Sequence, residues 1–526
     1  MKLHSYAQGQ WRFGGGESTT LRSAVTGEPV AEIARGGLDY AGMLAYARDT
    51  GGPNLRARTF HQRAIMLKEL AKHLSQYKDE FYALSTETGA TRADSMVDID
   101  GGIGTLFAYS GKGRRELPNG YAVIDGEMEP LSRGGSFIGH HVWVPLEGAA
   151  VHINAFNFPC WGMLEKLAAN LLAGVPAIIK PASQTAYLTE LMFRRMIESE
   201  LLPAGAVQLI CGGVGDLLDH VTGQDVVTFT GSAETGRKLR CHPAIVNNAT
   251  RFSMEADSLN CSILGPDAVP GTPEFDLYIK EVVREMTVKA GQKCTAIRRV
   301  MVPESLVAPV IDALSKRIEE KVVLGHPGTE GVTLGALSSL NQRQEVRDRV
   351  RDLLVAAELV YGNPEQCDPR GADGDAGAFM SPLILHCASP VAGSPVHDVE
   401  AFGPVSTVMP YKSAADAANL ARLGQGRLVR SIFPADPEFA REVVMGSASH
   451  HGRLLVVDRT CAKESTGHGS PMPTLVHGGP GRAGGGEELG GVRGVFHYMQ
   501  RTALQGSPDM LSAITGRWMP GASRRE

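Results

Sequence analysis

Apolar and polar positions change rhythm along this chain. Over residues 56–89, RARTFHQRAIMLKELAKHLSQYKDEFYALSTETG, the residues Ile65, Leu67, Leu70, Leu74 and Tyr77 recur at three-to-four spacing. That period predicts a mostly helical segment with one buried face, closed by the Gly-Ala after Thr88. From Gly148 the pattern becomes a regular alternation. AAVHINAF (149–156) reads as a buried strand, and WGMLEKLAANLLAG (161–174) as a helix stopped by Gly174. VPAIIK (175–180), VQLICG (207–212) and VVTFT (226–230) read as further strands, with a helix over 188–205 and a short one in GDLLDHV between them. Strand–helix–strand alternation with short links predicts an α/β fold built on a doubly wound parallel sheet. Such sheets bind ligands beyond the carboxyl ends of their strands. Here those ends are Asn157, Lys180 and Thr230-Gly231-Ser232.

A second alternating region runs from about 260 to 470, with strand-like RRVMVP and RLLVV and a helical DLYIKEVVREMTVKA. The glycine-rich segment 465–488, STGHGSPMPTLVHGGPGRAGGGEE, lies between ordered-looking stretches. It is expected to be an ordered, function-bearing loop rather than a linker. No internal repeat is found.

Length changes the picture in one respect: 526 residues call for two or three domains. A net charge of -5, with 21% charged residues, carries no polybasic signal for nucleic acid or an anionic membrane. No run of about 18 apolar residues predicts a membrane span. The N-terminus lacks a secretory apolar region and a transit-peptide bias. The eight cysteines are scattered, without a C-x-x-C pair, so neither a metal site nor a disulfide framework is expected. A reducing cytoplasm fits.

Three segments bear candidate chemistry. FTGSAETG (229–236) follows a strand; Gly231 permits close backbone approach and Ser232 suits a helix N-cap. The exposed N–H groups of such a helix favour a phosphate, although an ordinary capped helix reads the same way. Lys180, after three apolar strand residues, either snorkels into water or meets a ribose or phosphate. Cys294, in GQKCTAIRR, is either a small buried hydrophobe or a nucleophile.

FNFP, IIKPASQT, FTGSAETG, Glu255, GQKC and EAFGPV (400–405) occur in an order that resembles the motif series of the aldehyde dehydrogenase superfamily, from about residue 5 to 500. The resemblance implies a Rossmann-like cofactor domain (1–136 and 149–257), an α/β catalytic domain (258–480) and a small β arm (137–148 and 490–510) that builds dimers or dimers of dimers. It makes Cys294 the nucleophile, Asn157 the side-chain donor to the oxyanion and Glu255 the general base for thioester hydrolysis. Ser232, with Gly231, would hold the cofactor pyrophosphate. Lys180 and Glu400 would bind its riboses, and Phe402 would flank the nicotinamide. Taken singly, Glu255 reads equally as a surface charge and Asn157 as a cap for the helix at Trp161; the ordered series favours the catalytic roles. Cys160 has some claim on the site through its closeness to Asn157.

The chain departs from the family pattern at three places. The usual E-L-G-G around the base is Glu255-Ala256-Asp257-Ser258, and Lys293 precedes the nucleophile, with Ile297-Arg298 soon after. An inward Lys293 ammonium would favour the thiolate. Where NAD-specific members carry the Glu of KPAEQT, this chain has Ser183. A serine beside Lys180 would accept a 2′-phosphate that a carboxylate repels, so NADP is expected over NAD. EADSLN and HGSPMPTLVHGGPGRAGGGEELGG are similar to members of the superfamily that act on CoA-linked semialdehydes in aromatic-ring breakdown. Some of these carry a further hydratase domain; a chain stopping at Glu526 is expected to match the stand-alone kind. The expected activity is therefore oxidation of a CoA-linked semialdehyde to its acid. The alternatives are a general aldehyde dehydrogenase and a CoA-acylating enzyme, which often lacks the Glu. A non-catalytic protein on the same fold would be free to lose Cys294, Glu255 and Asn157, and all three are present.

Overall fold

In the computed structural model, which describes residues 1–523, the 149–255 alternation forms a five-stranded parallel core. The order is Arg251–Glu255, Val226–Thr230, Ala150–Ile153, Ala177–Lys180, Val207–Leu209, extended by an antiparallel N-terminal hairpin of Ser5–Ala7 and Gln10–Arg12. Alternate strand residues feed two cores. Ala150, Ala177, Ile179 and Val226 pack under the helices Phe60–Leu74 and Trp161–Ala173, whereas Val151, Ile178 and Val227 meet Met43, Leu44 and Leu217 on the opposite face. Burial on both faces is why these strands read as continuous apolar runs. Each fully buried Leu of the Trp161–Ala173 helix (Leu164, Leu167, Leu171, Leu172) contributes about 1.5–3 kcal/mol.

The helical 56–89 segment is broken more finely than its period suggests. A capping box at Thr59 starts a helix at Phe60–Leu74, a 3-10 turn follows, and a second helix spans Lys78–Ser85 before Gly89 turns the chain at φ 82°. Ile65 was expected on the buried face but is exposed, because the buried stripe runs through Arg63, Ala64, Leu67, Leu70 and Leu74. The helix expected over 188–205 is Ala186–Glu198, ending before Glu200 takes a left-handed φ of 55°. GDLLDHV makes only a 3-10 turn, Leu217–His220. Arg251–Glu255 is an additional parallel strand, paired in register with Val226–Thr230 so that Thr230 lies beside Glu255. Glu255 thus joins Lys180 and Thr230 at the carboxyl ends.

The second region forms another seven-stranded sheet, in the order Glu358–Tyr361, Leu383–His386, Val405–Tyr411, Arg299–Pro303, Cys261–Leu264, Arg427–Phe433, His451–Val456. All its pairings are parallel except that of Glu358–Tyr361. A separate antiparallel sheet joins Met499–Gly506 to Ile138–Pro145 and Val123–Pro130. The glycine-rich segment is folded. Val476–Gly478 pairs with Glu487–Leu489, and a Cβ on Gly452 would lie 1.7 Å from the Gly478 carbonyl oxygen, so the hairpin is pressed against the second sheet.

Candidate active site

Cys294 sits in a turn that the sequence builds at some conformational cost. The Pro273–Thr287 helix ends, Lys289 and Ala290 take left-handed φ values of 55° and 51°, and Gly291 follows at 69°. A Cβ on Gly291 would lie 2.1 Å from the Gly403 carbonyl oxygen, which explains the glycine. The strain is held from behind: Lys289 N donates to Asp94 at 2.8 Å and its ammonium to Thr88 at 3.0 Å. Asn260 fixes the other side, donating from Nδ2 to the Cys294 carbonyl at 2.7 Å and the Ala296 carbonyl at 3.1 Å.

Around the sulfur lies a cleft whose lining includes Asn157, Trp161, Glu165, Thr230, Glu255 and His477. Asn157 is buried and donates through Nδ2 to the Gln292 carbonyl at 3.1 Å, leaving its second amide hydrogen for another acceptor. It does not cap the Trp161 helix. Asp98 does so, accepting from Cys160 N at 3.1 Å and Trp161 N at 2.7 Å. Cys160 is fully buried, and burial together with Asp98 pushes its thiol well up, so it stays a structural thiol.

Glu255 is buried, not a surface charge. Its Oε2 lies 2.9 Å from His477 Nε2, and His477 Nε2 in turn lies 3.9 Å from Cys294 Sγ. The contact with Oε2 is close without being an aligned hydrogen bond, and that oxygen has no other donor. Burial alone would raise the Glu255 carboxyl; His477 beside it and Lys166 further off hold it below the usual range instead. His477 is raised, since Glu255 outweighs its own burial. Cys294 is pushed well up by burial and then by Glu255. Lys293 is buried and pulls the thiol the expected way, down, but weakly beside burial and Glu255, since its ammonium bonds both oxygens of Glu285, at 3.0 and 2.9 Å. A buried Lys166 bridges Glu165 and Glu488, 3.3 Å from each.

The cofactor-side residues occupy the strand ends. Ser232 caps the Ala233–Arg240 helix by accepting from Thr235 N at 3.3 Å, and Gly231 leaves no room for a side chain, its Cβ falling 2.6 Å from the Phe229 ring. Asp257 takes the Ala233 N–H of that helix at 2.9 Å and is itself 3.5 Å from Arg482. Burial pulls the Lys180 ammonium below its usual range, with no carboxylate among the groups that shift it. Ser183 is exposed on the next turn, and the Thr230 hydroxyl is buried without a partner. An unpaired ammonium, an exposed hydroxyl and an orphaned one at adjoining strand ends fit a phosphorylated ribose ligand. Glu400 accepts from Ser258 N at 3.2 Å and pairs with Arg298 at 3.4 Å; burial pushes it up to about 7. Phe402 packs edge-on against Phe156 at 5.9 Å. Asn157, Glu255 and Cys294 therefore share one cleft, and Glu400 reaches it through Ser258 and Asn260, whose side chains bond at 2.6 Å.

His477 and Asn260 were not singled out from sequence. His477 lay in a segment notable only for glycine, although a His before Gly-Gly between apolar residues, VHGG, is the available signal.

Two α/β sheets with a buried cysteine, carboxylate and amide in one cleft define an enzyme-like α/β architecture, and comparison with known proteins gives the family. The chain belongs to the aldehyde dehydrogenase family, whose model matches residues 11–502. It is 45% identical over 481 residues to a 3,4-dehydroadipyl-CoA semialdehyde dehydrogenase of Aromatoleum evansii, covering 91% of this chain and 93% of that one. It is also 49% identical over 194 residues to Protein MaoC of Klebsiella aerogenes, covering 37% of this chain and 56% of that one. Among solved structures, betaine aldehyde dehydrogenase of Staphylococcus aureus, in complex with NAD+, superposes with a TM-score of 0.83 at 22% identity, covering 96% of this chain and 97% of that one. An NAD-dependent aldehyde dehydrogenase of Sinorhizobium meliloti gives 0.82 at 20% identity, with 96% and 95% covered. These two show the fold. Among the described residues no helix is long and apolar enough to cross a membrane.

Proposed function

We propose that this chain oxidises the aldehyde group of a CoA-linked semialdehyde to a carboxylic acid, with NADP as hydride acceptor, through a thioester on Cys294. The observation that carries this reading is the convergence of Cys294, Glu255 and Asn157 on one cleft. Its substrate class rests on the 45% identity to an enzyme named for a CoA-linked semialdehyde.

The Cys294 sulfur adds to the aldehyde carbon, and the carbonyl electron pair moves to oxygen. The free N–H of Asn157 and the Cys294 backbone N–H donate to that oxyanion inside a water-poor cleft, where such donors count most. When bound, the nicotinamide supplies the hydride acceptor that turns this adduct into a thioester. Lys180, Ser183, Gly231, Ser232, Glu400 and Phe402 would hold it. Glu255 then takes a proton from the water that opens the thioester. The presence of Glu255 as a buried base in the cleft supports water over free CoA as the acceptor of the acyl group. NADP is supported by exposed Ser183 beside Lys180, whose poorly solvated ammonium gains from a phosphate. The Ile138–Pro145 and Met499–Gly506 strands, with Phe137 and Val144 exposed at their side, would form the arm that pairs subunits in a cytoplasmic homo-oligomer.

The test is the initial rate of NADPH and NADH formation with an adipyl-CoA-type semialdehyde and with its CoA-free analogue. A strong preference for the CoA-linked aldehyde with NADP is expected. Equal rates on the free aldehyde would return the chain to the general aldehyde dehydrogenases, and equal rates with NAD would remove the Ser183 argument.

A further inference from the structure

We propose that His477 is a catalytic residue: its Nε2 accepts the proton of Cys294 and holds it between sulfur and Glu255 while the sulfur attacks. The inference rests on the thioester reading above. His477 reaches this place because the Val476–Gly478 strand pairs with Glu487–Leu489 and is pinned to the second sheet at Gly452 and Gly479, where any Cβ would lie 1.7 and 2.1 Å from backbone oxygens. The imidazole is thus delivered by a rigid hairpin and is buried beside the nucleophile. Its Nε2 is 3.9 Å from Sγ and 2.9 Å from Oε2, and the three groups lie within 4.8 Å of one another.

Glu255 is poorly suited to take the thiol proton itself. Burial and the adjacent carboxylate hold the thiol high, while His477 holds the carboxyl low, so direct transfer between them runs uphill. An imidazole lies between these two in basicity. The other groups facing it are Glu165, the Lys166 ammonium that bridges it to Glu488, and Glu488 itself, whose carboxyl burial pushes up to about 8; Lys293 is neutralised by Glu285. Glu255 is the group that most favours the imidazolium produced when the proton arrives. In the step itself His477 starts as the neutral imidazole with its proton on Nδ1; the Sγ–H bond breaks, the proton passes to Nε2, the electron pair stays on sulfur, and the new Nε2–H faces Glu255 Oε2. The C–S bond then forms as the carbonyl π pair moves to oxygen. Glu255 remains a carboxylate throughout and is kept for the water of the second half-reaction.

The experiment follows alkylation of Cys294 by iodoacetamide in the full chain, reading the Cys294 peptide by mass spectrometry so that the exposed Cys241 and Cys461 do not interfere. It needs no aldehyde, so it stands or falls apart from the substrate assignment. At about pH 7.5, His477→Phe and His477→Gln should each slow alkylation by about tenfold or more and move its midpoint to higher pH. NADP binding should be unchanged. Rates within about twofold of the unsubstituted protein in both variants would overturn the proposal. A measurement without substitution guards against misfolding. In the unsubstituted chain the rate should rise through two ionisations, the lower in the imidazole range. A single ionisation in the thiol range would overturn it.

Discussion

The two ends of the active-site groove are built in opposite ways. Around Cys294 the charged side chains and loop carbonyls are paired within the chain, apart from the free Asn157 N–H: Asn260 holds the loop carbonyls, Glu285 takes Lys293, and His477 faces Glu255. At the cofactor edge, Lys180 has no carboxylate acting on it, the Thr230 hydroxyl is buried without a partner, and Ser183 and Ser232 are exposed. The difference separates two tasks. Groups that must act on a reacting centre are fixed in advance, because reorganisation during the reaction raises the barrier. Groups that bind a dissociable ligand keep their hydrogen-bonding capacity for it. Substitutions at the first end should therefore cost turnover with little change in binding, and substitutions at the second should change which ligand is bound.

The largest effect should come from Cys294→Ala, which is expected to lower kcat by at least about ten-thousandfold while NADP still binds, measured by steady-state rates and equilibrium titration. Retained turnover would erase the contrast between the two ends. Asn157→Ala should cost about a hundred- to a thousandfold in kcat with a nearly unchanged KM, as for loss of one oxyanion donor; a change confined to KM would make Asn157 a binding residue. Ser183→Glu should shift the ratio of kcat/KM values for NADP and NAD about tenfold towards NAD, about 1.4 kcal/mol. An unchanged ratio would show that another side chain reads the phosphate. Asn260→Ala strips partners from the Cys294 and Ala296 carbonyls and from Val429 N. It should cost about 1–3 kcal/mol in chemical denaturation and disturb the nucleophile turn.

The same contrast explains what could be read from sequence. Parallel strands buried on both faces write themselves as apolar runs, so 150–153, 177–180 and 226–230 were legible, and with them the strand ends that carry Lys180 and Ser232. Arg251–Glu255 was not, because RFSME is short and half-exposed over its first three residues. Val123–Pro130 was hidden for a similar reason: VIDGEMEP lies at a sheet edge and carries no buried residue. In the 56–89 helix, spacing alone put Ile65 on the buried stripe, whereas Arg63, fully buried, holds a place there by donating to the Leu55, Arg58 and Leu172 carbonyls. At the site, Cys294, Glu255 and Asn157 were legible through motif order. His477 was not, since its role depends on a hairpin that brings a residue 183 positions away to the sulfur. Asp98 likewise caps a helix 63 positions downstream at Trp161. Long-range pairings of this kind leave no local period to read.

The most direct test of the account is to mix Glu255→Gln rapidly with NADP and the CoA-linked semialdehyde, following reduced cofactor and the mass of the Cys294 peptide together. Hydride transfer ahead of hydrolysis predicts a burst of about one NADPH per active site, an acyl adduct on Cys294 and slow turnover afterwards. Continued fast turnover, or an adduct absent from Cys294, would contradict it.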